Sequence, residues 1–561
     1  MVAVAGVVPL LAGARESVGP PSEPGASEVP TTTAAQRSST STVAEVAGPD
    51  FRPGAEANRS RWVEAFPVPV PTGRRIEVGS VAELNAAMGA VGPGDEVVLR
   101  AGTYDGEVNV SARGRAGSPI TVRAAEPLAA VVVGNGSWNL SGEHLVLRDL
   151  RFDRTRGGTK GVVVVTGRHV RVTGNRFESV GYTADDTDTR SVIRMETDRD
   201  SFNLVDANEV DRPNTVFTYL SHGTGYTVYS HNVITGPNGM GGRYNSYLVK
   251  SGSAMDPRPS RTVFQYNTVL DWGLSIPEAI DEKTPGATYV GNLMPDVVLY
   301  LRHGSGSTVV GNHLYTLHVD GADHRIEGNL LLADQPWVNE AVPVLTLTAA
   351  EAGSTRNEAA RGNRVVGNVV VAGGRPGVSQ FQERNVGIWG DLAAIETLRD
   401  NEFRRNIFVR ARPRAGADDG VGFLGFLGQP EAQRSLVATN SFVDNRFACD
   451  DCGTAVSAFV GRDGNRLDTT VSLRALPAPG PVEADPPRFT SATIRRSARG
   501  EVSASWSAVD AWYVVVGPGG HRGVAGSETL DDAALPAGSP VALRALGPGG
   551  WTTVLVDVAG P

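Results

Sequence analysis

Cysteine is almost missing from this sequence. Only Cys449 and Cys452 occur in 561 residues, so no disulfide framework can hold the fold, and a single CxxC lacks the further ligands of a structural zinc site. Long Ala/Leu/Glu/Lys stretches of helical period are also scarce, which argues against an ordinary α/β enzyme. No apolar run approaches the ~18 residues of a membrane-spanning helix. Positive charge is not in excess either: the formal net charge of −9 gives nucleic acid no attraction from the whole-molecule field, so a nucleic-acid partner is not expected. An acidic glycan needs only a local cationic groove and stays within reach.

What is present favours strands and turns. Gly (67) and Pro (35) stand beside abundant Val and Thr, the composition of short β-segments separated by tight bends. The first residues, MVAVAGVVPLLAGA, resemble the hydrophobic and cleavage regions of a secretory signal without its basic start, which predicts a secreted, monomeric protein with no membrane span. From Arg15 to about Ser60, Ser, Thr, Pro, Ala and Gly dominate and large apolar residues are few, so residues 1–60 read as a signal-like, disordered leader.

Order is expected from residue 61. Ser80-Val-Ala-Glu83 is a capping box that opens a short amphipathic helix, followed by the turn-bounded strands GPGDEVVLRAGTY and SPITVRA. One pattern then recurs: a short Val/Ile/Leu-rich strand, an Asn after Gly or a polar residue, and another apolar residue. It occurs at Asn175, Asn208, Asn232, Asn267, Asn292, Asn312, Asn329, Asn368 and Asn406, at spacings of roughly 17 to 39 residues. Such a repeat fits a solenoid whose coils vary in loop length, with the asparagines stacked into an amide ladder and the aliphatic residues filling the bore. Neither Trp-Asp signatures nor regularly spaced leucines appear, which excludes a propeller and a leucine-rich repeat. The expectation is an all-β chain: a right-handed parallel β-helix over 61–476, capped by the helix near Ser80. A Pro-rich linker, 477–487, leads to a small antiparallel β-sandwich over 488–561, with Trp506, Trp512 and Tyr513 as core aromatics of a fibronectin type III-like module or as glycan contacts.

Between Gly241 and Asn329 the sequence becomes specific: GGRYNSYLVKSGSAM, YNTVLDWGLSIPEAIDEKTPGATYVGN, LYLRHGSGSTVVGNHL and LHVDGADHRIEGNLL follow in that order. In this order, and with the N-terminal pattern from Ser80, they resemble polysaccharide lyase family 6, the family of chondroitinase B and several alginate lyases. The resemblance implies β-elimination of an acidic, uronate-containing polysaccharide. It places Lys283 as the base that removes the C5 proton and Arg302 as the group that assists the leaving oxygen. It further implies a calcium site drawn from Asn245 and Glu278, although Ile276 stands where the family pattern has a second acidic ligand, for which Asp281 or Glu282 is the substitute. Arg243, Lys250 and His303 are expected to contact substrate, and Arg243 with Lys250 offers a metal-free way to neutralise its carboxylate.

The chemistry explains these residue types. Taking a proton from the carbon beside a carboxylate builds enolate-like charge, which positive groups must stabilise. A lysine abstracts a proton only when neutral, and nearby cations lower its pKa. Arginine essentially never loses its proton, so Arg302 is expected to stabilise the departing oxygen while a tyrosine, His303 or water supplies the proton. Two other functions fit the fold class: a β-helix glycosidase working through paired carboxylates, and a non-catalytic glycan-binding surface protein. His222, His231, His313, His318 and His324 show no metal spacing and read as surface or turn residues.

Overall fold

The computed structural model describes residues 68–181, 190–197, 201–221, 224–236, 247–251, 259–272, 278–333, 343–351, 357–372, 386–390, 392–410, 424–425, 437–449, 462–467 and the strands within 488–559. Arg243, Asn245, Ile276, Trp512, Cys452, the leader and the linker lie outside them.

Three parallel ladders wind through the main body. The first has fourteen strands, from Arg75–Val78 and Glu96–Leu99 to Ser441–Val443. The second runs from Gly102–Asp105 to Arg466–Leu467, and the third from Val108–Val110 to Leu424–Gly425. Two long strands, Leu293–Leu301 and His313–Val319, belong to both the second and third ladders and join them into one sheet. One strand from each ladder makes a coil, which is the expected parallel β-helix.

Both ends of the sequence reading appear in the first coil. Ser80 caps helix Val81–Met88, its Oγ accepting the Glu83 N–H at 3.1 Å while Glu83 accepts the Gly79 N–H at 2.7 Å. Leu84 and Met88 are buried against the bore. The helix therefore covers apolar surface that an open solenoid end would leave in water.

The turn from first to second ladder is set by two residues. An Asn follows a residue with positive φ in coil after coil: Gly174 (64°), Ala207 (52°), His231 (53°), Tyr266 (49°), Gly291 (61°), Gly311 (65°), Gly328 (57°) and Gly367 (62°) each precede a ladder asparagine. Glycine takes this conformation without steric cost, which explains the Gly-Asn pairs of the sequence. Each Asn is buried. Asn292, for example, donates Nδ2–H to the Phe264 carbonyl at 2.7 Å and to Asn312 Oδ1 at 2.8 Å, while its own Oδ1 accepts the backbone N–H and Nδ2–H of Asn267 at 2.9 and 3.0 Å. The same pattern continues through Asn445 and Asn465. A second run links Asn363, Asn401 and Asn440.

Aliphatic residues fill much of the bore, joined by stacked aromatics such as Phe152 and Phe177, whose centroids are 4.7 Å apart. Beyond Leu467, two four-stranded sheets form the C-terminal module, one containing Arg488–Arg496 and Val502–Val509, the other Val541–Gly547 and Gly550–Val556. Nearly all their pairings are antiparallel, as expected, and Trp506 is buried. Strand order alone does not assign the module to the fibronectin type III family.

Replacing Asn292 with Ala strands both Asn267 N–H groups in the core, while the Asn312 oxygen keeps only the backbone N–H of residue 292. The expected loss is about 2–4 kcal/mol in chemical denaturation, because buried groups left unpaired cost more than a hydrogen bond gains. An unchanged midpoint would show that the ladder does not support the coil.

Candidate active site

The third ladder builds the site by register. Tyr219, Lys250, Asp281, Tyr300, His318 and Thr346 are successive partners in one row. The next row, Ser251, Glu282, Leu301, Val319 and Leu347, is buried in the bore. One residue further, Arg302 donates its N–H to the Glu282 carbonyl at 2.7 Å and Asp320 to the Leu301 carbonyl at 2.8 Å, so Lys283, Arg302 and Asp320 stand side by side on neighbouring coils. Strand alternation sends the first and third of these rows to the same face.

Lys283 and Arg302 meet at a carboxylate. Lys283 Nζ lies 2.9 Å from Asp281 Oδ2, and Arg302 NH1 lies 3.8 Å from Asp281 Oδ1. The Asp281 side chain is only 1% exposed. Arg302 also grips Glu278, with NH1 at 3.1 and 3.4 Å from its two oxygens. Burial works against the Arg302 charge, but Glu278 and Asp281 raise its pKa above the ordinary value. Lys250 lies with Nζ 4.4 Å from the centre of the Tyr247 ring. Burial pushes its pKa down, and Lys283 and Arg302 add to that against the pull of Asp281 and Glu278. His303 is held down to about 4, first by burial and then by Arg302 and Lys283, so its imidazole is neutral at neutral pH.

Below this surface sits a buried anchor. Glu282 accepts hydrogen bonds from Ser251 Oγ (2.8 Å), Thr284 N (3.0 Å), Thr284 Oγ1 (2.5 Å) and Tyr289 OH (2.8 Å), and Ser251 Oγ accepts the Lys283 N–H at 2.6 Å. Burial raises the Glu282 pKa. The strand that presents Asp281 and Lys283 is thus pinned from inside.

One coil on, Asp320 accepts from Tyr300 OH at 3.2 Å and from Thr348 Oγ1, and the Tyr300 and His318 rings stack with centroids 4.0 Å apart. Burial raises the Asp320 and Tyr300 pKa values and lowers His318 to about 3. His318 and His324 are therefore not surface residues as the sequence suggested. Both are buried; His318 stacks on Tyr300 with its Nε2 2.9 Å from Thr348 Oγ1, and His324 Nε2 lies 2.8 Å from the Asp320 carbonyl.

Lys250, Lys283, Arg302, His303 and Glu278 thus fall in one region. Arg243, Asn245 and Ile276 cannot be placed there. Calcium takes six to eight oxygen ligands; of the expected set, Glu278 is held by Arg302, and Asn245 lies outside the described residues. Elsewhere, on the first ladder, Glu143, His144 and His169 bring ligand atoms within 4.8 Å of one another.

Asp281, expected from the sequence only as a substitute calcium ligand, is the link between the two cations. It also passed over a compositional signal: of 52 Lys and Arg residues, only Lys160, Lys250 and Lys283 are lysine. Two of the three lie in this site.

Glu282→Ala leaves the Thr284 N–H, the Thr284 O–H and the Tyr289 O–H without an acceptor, and the Ser251 O–H with the Asp281 carbonyl alone. It should lower stability by about 3 kcal/mol or more, with Glu282→Gln milder, as read from thermal unfolding. Equal melting of all three proteins would remove the anchor role.

The Chondroitinase B family model matches residues 78–341, which include every described residue of the site up to His324. Among solved structures, a mannuronic acid-specific polysaccharide family 6 lyase from human gut microbiota aligns at 18% identity with a TM-score of 0.54, covering 71% of this chain and 92% of its own. The family 6 alginate lyase AlyGC aligns at 17% identity and a TM-score of 0.54, over 76% of this chain and 55% of its own. No curated protein matches the chain. At these identities the two structures speak for the fold, and the family match covers the coils that carry the lysine and arginine pair. Residues 78–341, a little under half of the chain, match the chondroitinase B family, and the two aligned family 6 lyase structures share the chain's fold.

Proposed function

We propose that the protein cleaves a uronate polymer of the alginate type by β-elimination, with Lys283 as the base at C5 and Arg302 stabilising the departing O4. The observation that carries this reading is the contact of Lys283 and Arg302 with one buried carboxylate, which holds a primary amine and a guanidinium within reach of a single sugar ring. Dermatan or chondroitin sulfate is the other substrate class of this chemistry, and the alginate choice rests on the two aligned structures. Secretion fits a polymer too large to enter a cell.

Arg302 cannot give up its proton. Its task is electrostatic, and Glu278 and Asp281 orient it. Lys250, Arg243 and His303 would hold the uronate, with His303 as a neutral hydrogen-bonding group. A calcium ion held by Asn245 and Glu278 would, when bound, draw electron density from the substrate carboxylate; Glu278 would first have to leave Arg302. Lys250 and Arg302 can supply positive charge instead.

Incubation with alginate, dermatan sulfate and related uronans should raise ultraviolet absorbance as the C4=C5 double bond forms, and silence on all of them would remove this reading. Lys283→Ala should lower kcat by about 10²–10⁴-fold or more, the usual worth of a general base; an active variant would remove its assignment.

Chelation separates the two ways of neutralising the uronate. Activity on the best uronan is expected to survive excess EDTA, since Glu278 is engaged by Arg302 and both Lys250 and Arg302 offer positive charge to the substrate carboxylate. Loss in EDTA with recovery in added calcium would restore the metal to the reaction.

A further inference from the structure

Resting on the lyase reading, we infer that Lys160 and Arg194 form a second uronate-binding site on the third ladder, three coils before the cleavage site, and that the polymer lies along the axis of the β-helix between the two.

The cleavage site joins a lysine and an arginine through one carboxylate, Lys283 and Arg302 through Asp281. The same three-part cluster stands at Glu196. Lys160 Nζ reaches one of its oxygens, and Arg194 Nε lies 2.7 Å from the other. Two cations against one carboxylate leave a positive charge for an incoming anion. The Lys160 side chain is 54% exposed and open to a ligand, whereas Arg194 and Glu196 are held deeper.

Register sets both clusters on one face. Arg194, Tyr219, Lys250 and Asp281 are successive partners in one row. Glu196 comes one residue after the bore residue Met195, as Lys283 comes one after Glu282, so alternation turns Arg194 and Glu196 to the side that carries Asp281 and Lys283. Lys160 meets that side through Glu196. All three lysines of the chain therefore gather on this single face of the solenoid. Between the clusters the face carries aromatic rings: Arg194 Cζ lies 4.3 Å from the centre of the Tyr219 ring, and Lys250 rests on Tyr247.

Spacing matches the polymer to the coils. Neighbouring parallel strands lie about 4.8 Å apart, so three coils span about 14 Å. An extended 1,4-linked uronan advances by nearly one coil per sugar. A carboxylate held by Lys160 and Arg194 thus belongs to a sugar about three places from the one at Lys283.

Lys283→Ala protein, in which turnover is blocked, keeps Lys160 and Lys250 as its only lysines. With ¹³C at lysine Cε it gives two signals, which Lys160→Arg assigns. Octamers of mannuronate and of dermatan sulfate are the probes, and the one that binds should shift both signals. A shift of Lys250 alone would overturn the proposal and leave the cleavage site standing. A shift of Lys160 by a uronan that the parent protein does not cleave would keep the second site and remove the lyase reading. No shift with either octamer would remove the second site. Kinetics give an independent measure, because a trimer cannot touch both clusters and an octamer can. Lys160→Ala should lower the ratio of kcat/KM for octamer over trimer by about tenfold, the usual worth of one charge-assisted hydrogen bond. The loss should fall in KM for the octamer, with Lys160→Glu worse and Lys160→Arg close to the parent protein. Equal loss at both lengths, or an unchanged ratio, would return Lys160, Arg194 and Glu196 to a surface ion-pair network.

Discussion

A buried amide chain fixes where every other residue of this protein can stand. Each ladder asparagine satisfies the backbone of a neighbouring coil and passes its oxygen to the amide of the one before. A shift of one residue in any coil would break these bonds and turn that strand's bore residues outward. Loops between the ladders vary widely in length, yet the strands stay in register because the turn after each first-ladder strand is held to an αL residue and an Asn. That constancy brings residues from separate coils, Lys250, Asp281, Lys283 and Arg302, onto one patch.

The charge on that patch opposes the charge on the whole chain. Lys250, Lys283 and Arg302 face Glu278 and Asp281, while the deeper carboxyls Glu282 and Asp320 are pushed toward the neutral form by burial. A chain of net charge −9 therefore presents a local cationic excess where an anionic polymer would lie. Attraction limited to a small site binds a uronate without holding the product by a long-range field, since exposed charges beyond about 10 Å are screened at ordinary ionic strength.

Much of this was legible in the sequence. The nine asparagines read from the repeat all lie in the ladder, the helix begins at its capping box, and the β-helix follows from their spacing. Lys283 and Arg302 are readable because short runs around them are specific. The acidic linker between them is not, because Asp281 gains its meaning only when a strand 20 residues later lays Arg302 beside it. Nor could the sequence separate Asp281 from Glu282, adjacent carboxylates with opposite fates: alternation sends one to the cations and the other into the bore. His318 was misread for a related reason, since nothing local shows that Tyr300 of the preceding coil will cover it.

The same geometry argues against the two other functions that the fold class allows. A glycosidase needs one carboxylic acid kept protonated and a second carboxylate across the bond. Here Glu278 and Asp281 are each engaged by a cation, Glu278 by Arg302 and Asp281 by Lys283. Asp320, whose pKa burial raises, accepts hydrogen bonds from Tyr300 and Thr348. A passive glycan-binding surface needs cations but has no use for amines in place of guanidinium groups, which grip carboxylates with two parallel hydrogen bonds. Two of the chain's three lysines stand in this site, where arginine would serve a purely binding surface at least as well.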